Sequence, residues 1–150
     1  MTATISFLRQ VAPQNELQEI TPTKYVVLVD DDKAVRRAMA RLIATFPYRV
    51  GTYPSGREFL DSLNAARPSC LIVDLQMQDM TGLELLHILV GKGLNIPTIV
   101  VTANDDPGME HRCRLAGTVG FLVKPVLKDP LFKAIEAAIG APDLDVAQGN

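Results

Sequence analysis

The chain has 150 residues, of which 47% are hydrophobic and 21% charged, a composition typical of a soluble globular domain. A formal net charge of −2 provides no overall positive field for nucleic acid or an anionic membrane, so direct binding to either is not expected. No stretch approaches the roughly 20 apolar residues of a membrane helix, and the first residues lack the pattern of a signal peptide. With two cysteines and no disulfide framework, the sequence predicts a cytoplasmic protein.

Three segments are distinguished along the chain. Residues 1–23 have scattered apolar positions interrupted by Pro13 and Pro22, and they are predicted to form an extension outside the core. Residues 24–140 are predicted to form one domain, and residues 141–150 a polar tail or a linker stub. Short apolar runs within the domain predict five strands, at Tyr25–Val29, Arg49–Tyr53, Cys70–Val73, Thr98–Val101 and Gly120–Val123.

The segments between these runs have the spacing of helices. After the first run, apolar residues recur three and four positions apart from Val35 to Ile43. After the fifth, the same spacing begins at Leu131, and Gly140 is predicted to end that helix. Helices are also predicted around 59–63 and 83–90, with a weaker one near 109–115. Because several strands are apolar without alternation, we expect a doubly wound α/β domain with a parallel sheet covered on both faces.

Polar groups follow the strands at the edge where ligands bind in such sheets. Asp30, Asp31 and Asp32 follow the first strand, Asp74 follows the third, and Thr102 and Lys124 follow the fourth and fifth. Two carboxylates about 5 Å apart repel by roughly 3 kcal/mol at an effective dielectric constant of about 20. A hard divalent cation such as Mg²⁺ relieves that repulsion. Together with a lysine and a hydroxyl, which hold a tetrahedral anion, these groups suit phosphoryl transfer to a carboxylate oxygen.

Four motifs carry a family resemblance. They are Val-Leu-Val-Asp-Asp-Asp at 27–32, Asp-Leu-Gln-Met-Gln-Asp-Met-Thr-Gly-Leu-Glu-Leu-Leu at 74–86, Val-Val-Thr-Ala at 100–103 and Phe-Leu-Val-Lys-Pro at 121–125. In this order and spacing, the segment from about Lys24 to Gly140 resembles the receiver domain of bacterial two-component response regulators, of the chemotaxis-regulator type. The resemblance implies a (βα)5 flavodoxin-like fold whose five parallel strands have the order 2-1-3-4-5.

The resemblance also implies a role for each matching residue. Asp74 would be the phosphoacceptor. Asp30, Asp31 and Asp74, with the backbone carbonyl of Gln76, would hold Mg²⁺ or Mn²⁺. Lys124 would pair with the phosphoryl oxygens.

The remaining matches concern the switch. Thr102 would bond the phosphoryl group once it is formed, and Phe121 matches an aromatic switch position, although it could equally be a core residue. Pro125 matches a cis-proline. Asp32 is interpreted as the N-cap of the first helix.

The sequence departs from the family pattern in three places. Gln78 stands where a proline usually follows the methionine, which is expected to loosen that loop without removing a chemical group. Phe121 lacks the hydroxyl of the commoner tyrosine, so any switch would act through packing. Gln76 and Asn104 occupy two positions that, in this family, tune how long the phosphate survives.

The leading hypothesis is a response regulator receiver phosphorylated on Asp74 by a sensor histidine kinase or a phosphotransfer protein. It would not be an enzyme, beyond catalysing its own phosphorylation and dephosphorylation. It would control an output by protein contact or by forming a homodimer through the fourth helix, fifth strand and fifth helix. Charged residues there that could pair between two copies are Arg112, Arg114, Lys128, Asp129, Lys133 and Glu136.

Three alternatives stay open. The chain could be the receiver fragment of a longer DNA-binding transcriptional regulator. It could also be a degenerate receiver that acts only as a binding module. The most remote alternative is an aspartyl-phosphate phosphatase, which needs a second acid two residues after the nucleophile, where this chain has Gln76.

Overall fold

The structure is a computed structural model that describes residues 24–149, with side chains described for residues 24–140. The predicted extension at 1–23 lies outside the described residues. In the part described, five strands alternate with five helices. They are β1 (Tyr25–Val29), α1 (Lys33–Ala44), β2 (Arg49–Tyr53), α2 (Gly56–Ser62), β3 (Cys70–Asp74), α3 (Gly82–Gly91), β4 (Thr98–Thr102), α4 (Pro107–Leu115), β5 (Gly120–Val123) and α5 (Lys128–Gly149).

The strands form one parallel sheet in the order β2-β1-β3-β4-β5, which confirms the predicted topology. Every residue of β3 and β4 is buried, as expected for central strands covered on both faces. Both strands are one residue longer than predicted and end at Asp74 and Thr102. These two polar residues therefore belong to the sheet, where Asp74 pairs with Val101 of β4.

Alternate residues of the strands contribute to two apolar cores. On one face, Val26 and Leu28 of β1 belong to a cluster with Ile43 of α1 and with Leu131 and Ile135 of α5. The other face of β1 joins a cluster that contains residues of α2, α3 and α4, namely Phe59, Leu85, Leu89 and Cys113. The result is a three-layer arrangement in which the carboxyl edge of the sheet stays open between the helices.

Side-chain caps fix where two helices begin beside this edge. Asp32 Oδ1 accepts hydrogen bonds from the N–H groups of Ala34 and Val35, at 2.9 and 3.1 Å, which confirms Asp32 as the N-cap of α1. Thr81 and Glu84 form a reciprocal capping box at the start of α3. These caps set the lengths of the loops that follow β1 and β3.

The last helix is longer than predicted. It runs through Gly140 to Gly149, so the prediction that Gly140 ends it is wrong. A glycine ends a helix by adopting a positive φ angle, whereas in the described residues positive φ occurs at Gly93 and Gly117. A glycine that keeps helical angles only weakens a helix, by about 1 kcal/mol. Among residues 24–149, none of the helices combines the length and apolar character that a bilayer crossing requires.

Candidate functional site

Three carboxylates meet at the carboxyl edge of the sheet. Asp30 and Asp31 follow β1, and Asp74 ends the neighbouring strand β3. One carboxylate oxygen from each of the three lies within 4.8 Å of the other two. Asp30 and Asp74 are only 1% and 5% exposed, whereas Asp31 faces solvent. The fold therefore brings together the acidic residues that the sequence predicted to converge.

Lys124 supplies the positive charge of this cluster. It follows β5, and its Nζ lies 3.3 Å from Oδ2 of Asp30 and 3.3 Å from Oδ2 of Asp74. The Lys124 side chain is 20% exposed, so the pair is only partly screened by water. Burial opposes its charge, but the carboxylates of Asp30 and Asp74 outweigh that effect and raise the pKa of Lys124 above its ordinary value.

The electrostatics of Asp74 are a balance of opposing effects. Burial raises the pKa of the Asp74 carboxyl, and the nearby charge of Asp30 raises it further. A hydrogen bond from the Gln76 N–H, and the charge of Lys124, lower the same pKa, but the net shift is upward. In the absence of a cation, the fold therefore disfavours the ionised form of the very carboxylate that the sequence singles out.

Main-chain N–H groups orient two of these carboxylates from their own loops. Asp30 Oδ1 accepts from the N–H of Asp32 at 2.9 Å, and Asp74 Oδ1 accepts from the N–H of Gln76 at 3.2 Å. Arg36 adds a contact that the sequence analysis missed, because its guanidinium Nη1 donates to the backbone carbonyl of Asp30 at 2.7 Å. Arg36 lies on α1, and only the folded loop after β1 brings its guanidinium to Asp30.

Gln78 makes a backbone contact that the sequence did not predict. Its main-chain N–H donates to Oδ2 of Asp31 at 3.1 Å, so the loop after β3 is bonded to the loop after β1. A proline at this position could not donate that bond, since proline has no N–H. The departure from the family pattern therefore adds a contact to the acidic cluster.

The predicted switch residues lie on the two strands beyond β3. Thr102 is fully buried at the end of β4, and its Oγ1 accepts a hydrogen bond from the N–H of Asn104 at 3.1 Å. Phe121 on β5 is half-buried and packs against the cluster that contains Leu85 and Cys113. The Lys124–Pro125 peptide bond is cis, which confirms that expectation.

The donor set fits a hard divalent cation. Three carboxylate oxygens within 4.8 Å of one another offer the oxygen ligands that Mg²⁺ and Mn²⁺ prefer. The exposure of Asp31 leaves one side of the cluster open to water and to a further ligand. An apolar cavity of about 550 Å³ opens beside the site, lined by Val35, Ala38, Met39, Leu42, Lys124, Pro125 and Val126.

Comparison with known proteins agrees with this geometry. Residues 26–136 match the response regulator receiver domain. The transcriptional regulatory protein FixJ of Rhizobium meliloti (strain 1021) is 36% identical over 132 residues, which cover 85% of this chain and 65% of that protein. The response regulator protein TmoT of Ectopseudomonas mendocina is 32% identical over 134 residues, covering 89% of this chain and 61% of that protein. The chain thus spans less than two thirds of the length of these relatives.

Solved structures give the same result. The crystal structure of FixJ-N superimposes with a TM-score of 0.75 at 34% identity, over 81% of this chain and 97% of that one. A response regulator receiver protein from Burkholderia phymatum superimposes with a TM-score of 0.70 at 38% identity, over 79% and 96% of the two chains. Receiver domains are signalling switches that histidine kinases phosphorylate. On this sequence match and this fold, the chain belongs to the response regulator receiver family.

Proposed function

We propose that Asp74 accepts a phosphoryl group from a sensor histidine kinase or a phosphotransfer protein, and that the phosphorylated domain then controls an output through protein contact. The observation that carries this proposal is the cluster itself. Two buried carboxylates and an exposed one lie close together, and Nζ of Lys124 lies 3.3 Å from Oδ2 of both Asp30 and Asp74. A surface built only for stability gains nothing from such a concentration of like charge.

In the proposed reaction, a carboxylate oxygen of Asp74 attacks the phosphorus of a phosphohistidine. A P–O bond forms while the P–N bond breaks, and the departing imidazole nitrogen keeps the electron pair and takes up a proton. Lys124 holds the phosphoryl oxygens, since its ammonium already faces Oδ2 of Asp74. The product is an acyl phosphate on Asp74.

The proposed metal site consists of Asp30, Asp31, Asp74 and the main-chain carbonyl of Gln76. Mg²⁺ or Mn²⁺ bound there would neutralise negative charge on the carboxylates and the incoming phosphoryl group. Asp30 is held in place by the N–H of Asp32 and by Lys124, and Asp74 by the N–H of Gln76. These hydrogen bonds orient the carboxylates of Asp30 and Asp74 before a cation binds.

The proposed switch uses Thr102 and Phe121. The Thr102 hydroxyl accepts a hydrogen bond from Asn104, and its own O–H can still donate to a phosphoryl oxygen on the neighbouring strand. That bond would draw the loop after β4 inward and change the packing around Phe121. As Phe121 has no hydroxyl, the change would reach the surface through packing alone.

We also propose that phosphorylation favours a homodimer through α4, β5 and α5. Large apolar side chains are exposed in and beside these elements, at Leu115, Val119, Val123 and Leu127. Within α4, Arg114 already pairs with Glu110 at 2.8 Å, which leaves Arg112 of the same helix as the more available cation for a second copy. Light scattering with and without beryllofluoride tests this, and a sample that stays monomeric at high concentration contradicts it.

The experiment for the core proposal is phosphorylation by acetyl phosphate with Mg²⁺, followed by mass spectrometry. We expect a mass gain of one phosphoryl group in the wild type and none in Asp74→Asn or after chelation of the metal. Asp61→Asn is the matched control, because Asp61 is an exposed acid on α2 outside the cluster. An undiminished gain in Asp74→Asn contradicts the assignment.

A second candidate concerns the whole protein. FixJ is named a transcriptional regulatory protein, and the chain spans 65% of its length. This supports the alternative that the chain is the receiver part of a longer DNA-binding regulator. We further propose that the domain itself is not an enzyme beyond its own phosphorylation and dephosphorylation. A pull-down of the full-length gene product with promoter DNA, with and without acetyl phosphate, tests this candidate.

A further inference from the structure

Each carboxylate of the acidic cluster accepts a hydrogen bond from a main-chain N–H, but the three bonds differ in origin. Asp30 and Asp74 each accept from the residue two positions further along their own loop, at 2.9 and 3.2 Å. Asp31 accepts instead from Gln78, 47 residues away in the loop after β3, at 3.1 Å. The orientation of Asp31 therefore depends on a contact between two loops.

Asp31 is also the carboxylate with the least support from its surroundings. Asp30 and Asp74 are almost completely buried, and both face Lys124. Asp31 is exposed, so that without another restraint its side chain can rotate away from the cluster. A bond from Gln78 to Oδ2 restricts that rotation and leaves Oδ1 free to bind a cation.

The donor is itself held by the fold. The loop after β3 is closed by a hydrogen bond from the N–H of Gly82 to the carbonyl of Leu75, at 3.0 Å. Its first residue is anchored to β4, because the N–H of Leu75 donates to the carbonyl of Val101 at 2.8 Å. The Gln78 N–H thus belongs to a loop whose two ends are joined by a backbone hydrogen bond.

We propose that the main-chain N–H of Gln78 is a positioning group for Asp31, which raises the affinity of the site for a divalent cation. This inference rests on the metal site of the proposed function. Hydrogen-bond partners of metal-ligating residues typically change metal affinity by about 10–100-fold when they are removed. The side chain of Gln78 takes no part in the contact, because the donor is the backbone.

Two substitutions at one position separate the N–H from the side chain. Gln78→Pro removes the donor, and Gln78→Ala keeps it while removing the amide side chain. We expect Gln78→Pro to weaken Mg²⁺ binding about 10-fold in isothermal titration, and Gln78→Ala to stay within about 2-fold of wild type. Equal affinities in Gln78→Pro and Gln78→Ala would overturn the proposal.

The phosphorylation rate distinguishes weaker Mg²⁺ binding from general damage to the domain. With acetyl phosphate, Gln78→Pro should be slow at low Mg²⁺ and should recover the wild-type rate at saturating Mg²⁺, because only the occupancy of the site has changed. A rate that stays low at saturating Mg²⁺ contradicts a role in positioning Asp31. If the wild type itself binds no Mg²⁺, the proposed function fails first, and the two failures are thereby distinguished.

Circular dichroism establishes that Gln78→Pro is folded before it is titrated. If it does not fold, hydrogen exchange of the Gln78 amide by NMR decides the question in the wild-type chain. We expect that amide to be protected in the wild type and to exchange at least about 10-fold faster in Asp31→Ala, which removes the acceptor. An amide that exchanges equally fast in both proteins would refute the contact on which the inference depends.

Discussion

Nζ of Lys124 lies 3.3 Å from Oδ2 of Asp74, although the two residues are 50 positions apart and β4 separates their strands. The same ammonium lies 3.3 Å from Oδ2 of Asp30, which is 94 positions away. The positive charge of one lysine thus offsets the electrostatic repulsion between two carboxylates. We therefore expect the stability of the unliganded domain to depend on this group, and the proposed function assigns it the phosphoryl oxygens as well.

Removing that charge should destabilise the domain. Without metal, we expect Lys124→Met to lower the free energy of unfolding by about 1–3 kcal/mol, because two buried carboxylates lose their partner. Urea denaturation measures the difference. Lys128→Met, at an exposed residue, is the control and should change stability by less than about 0.5 kcal/mol. A Lys124→Met protein as stable as the control would show that the contact contributes little.

The stabilisation by Lys124 should be lost at alkaline pH. Its pKa is raised in the folded protein, so its contribution is complete below the unfolded pKa of about 10.4 and is lost as the pH rises through the folded value. The gap in stability between wild type and Lys124→Met should therefore narrow above about pH 10.5. Denaturation of both proteins at several pH values measures this gap, and a constant gap contradicts the assignment.

Neutralising Asp74 should stabilise the metal-free domain. Burial raises its pKa, so the folded state binds the proton more tightly, and the carboxyl costs stability as the pH rises from acid to neutral. We expect Asp74→Asn to melt higher than wild type at pH 7 in chelator. With Mg²⁺ at about 100 times its Kd, the wild type should gain about 2.7 kcal/mol and the variant less. Scanning calorimetry in both buffers compares them.

Two glycines of α3 should respond in opposite ways to alanine. A Cβ at Gly82 would lie 2.8 Å from the carbonyl oxygen of Asp74, whereas a Cβ at Gly91 would meet nothing within 4 Å. Gly82→Ala should lower the free energy of unfolding by about 1–3 kcal/mol, since the backbone of Asp74 must shift. Gly91→Ala should raise it by up to about 1 kcal/mol. Similar effects at both positions would refute the close packing at Asp74.

Both cysteines should be unreactive in the folded protein. Burial raises the pKa of Cys70 to about 12 and also raises that of Cys113, and both side chains are buried. At pH 8, the Cys70 thiol is ionised in only about one molecule in 10,000, so its attack on a disulfide reagent is slow. We expect no reaction with Ellman's reagent in native buffer and two equivalents in guanidinium. Rapid modification of the native protein contradicts this.

The sequence by itself determined which segments form strands and which functional residues follow each strand. Unbroken apolar runs such as Val26–Val29 indicate central parallel strands, and the acids, hydroxyl and lysine that follow them predict one site, because parallel strands end at a common edge. The N-cap role of Asp32 was also predictable, since capping is a contact between near neighbours in sequence. These features depend on local composition and spacing.

Only the tertiary structure decided which groups touch. Glycine is a residue type that often ends helices, but Gly140 does not adopt a positive φ angle and α5 continues past it. The bonds from Gln78 to Asp31 and from Arg36 to Asp30 follow from the paths of two loops around the strand ends. Periodicity describes the faces of helices and strands and contains no information on loop paths. Hydrogen bonds of about 3 Å tolerate displacements of only a few tenths of an ångström, so these contacts appear only once the sheet is assembled.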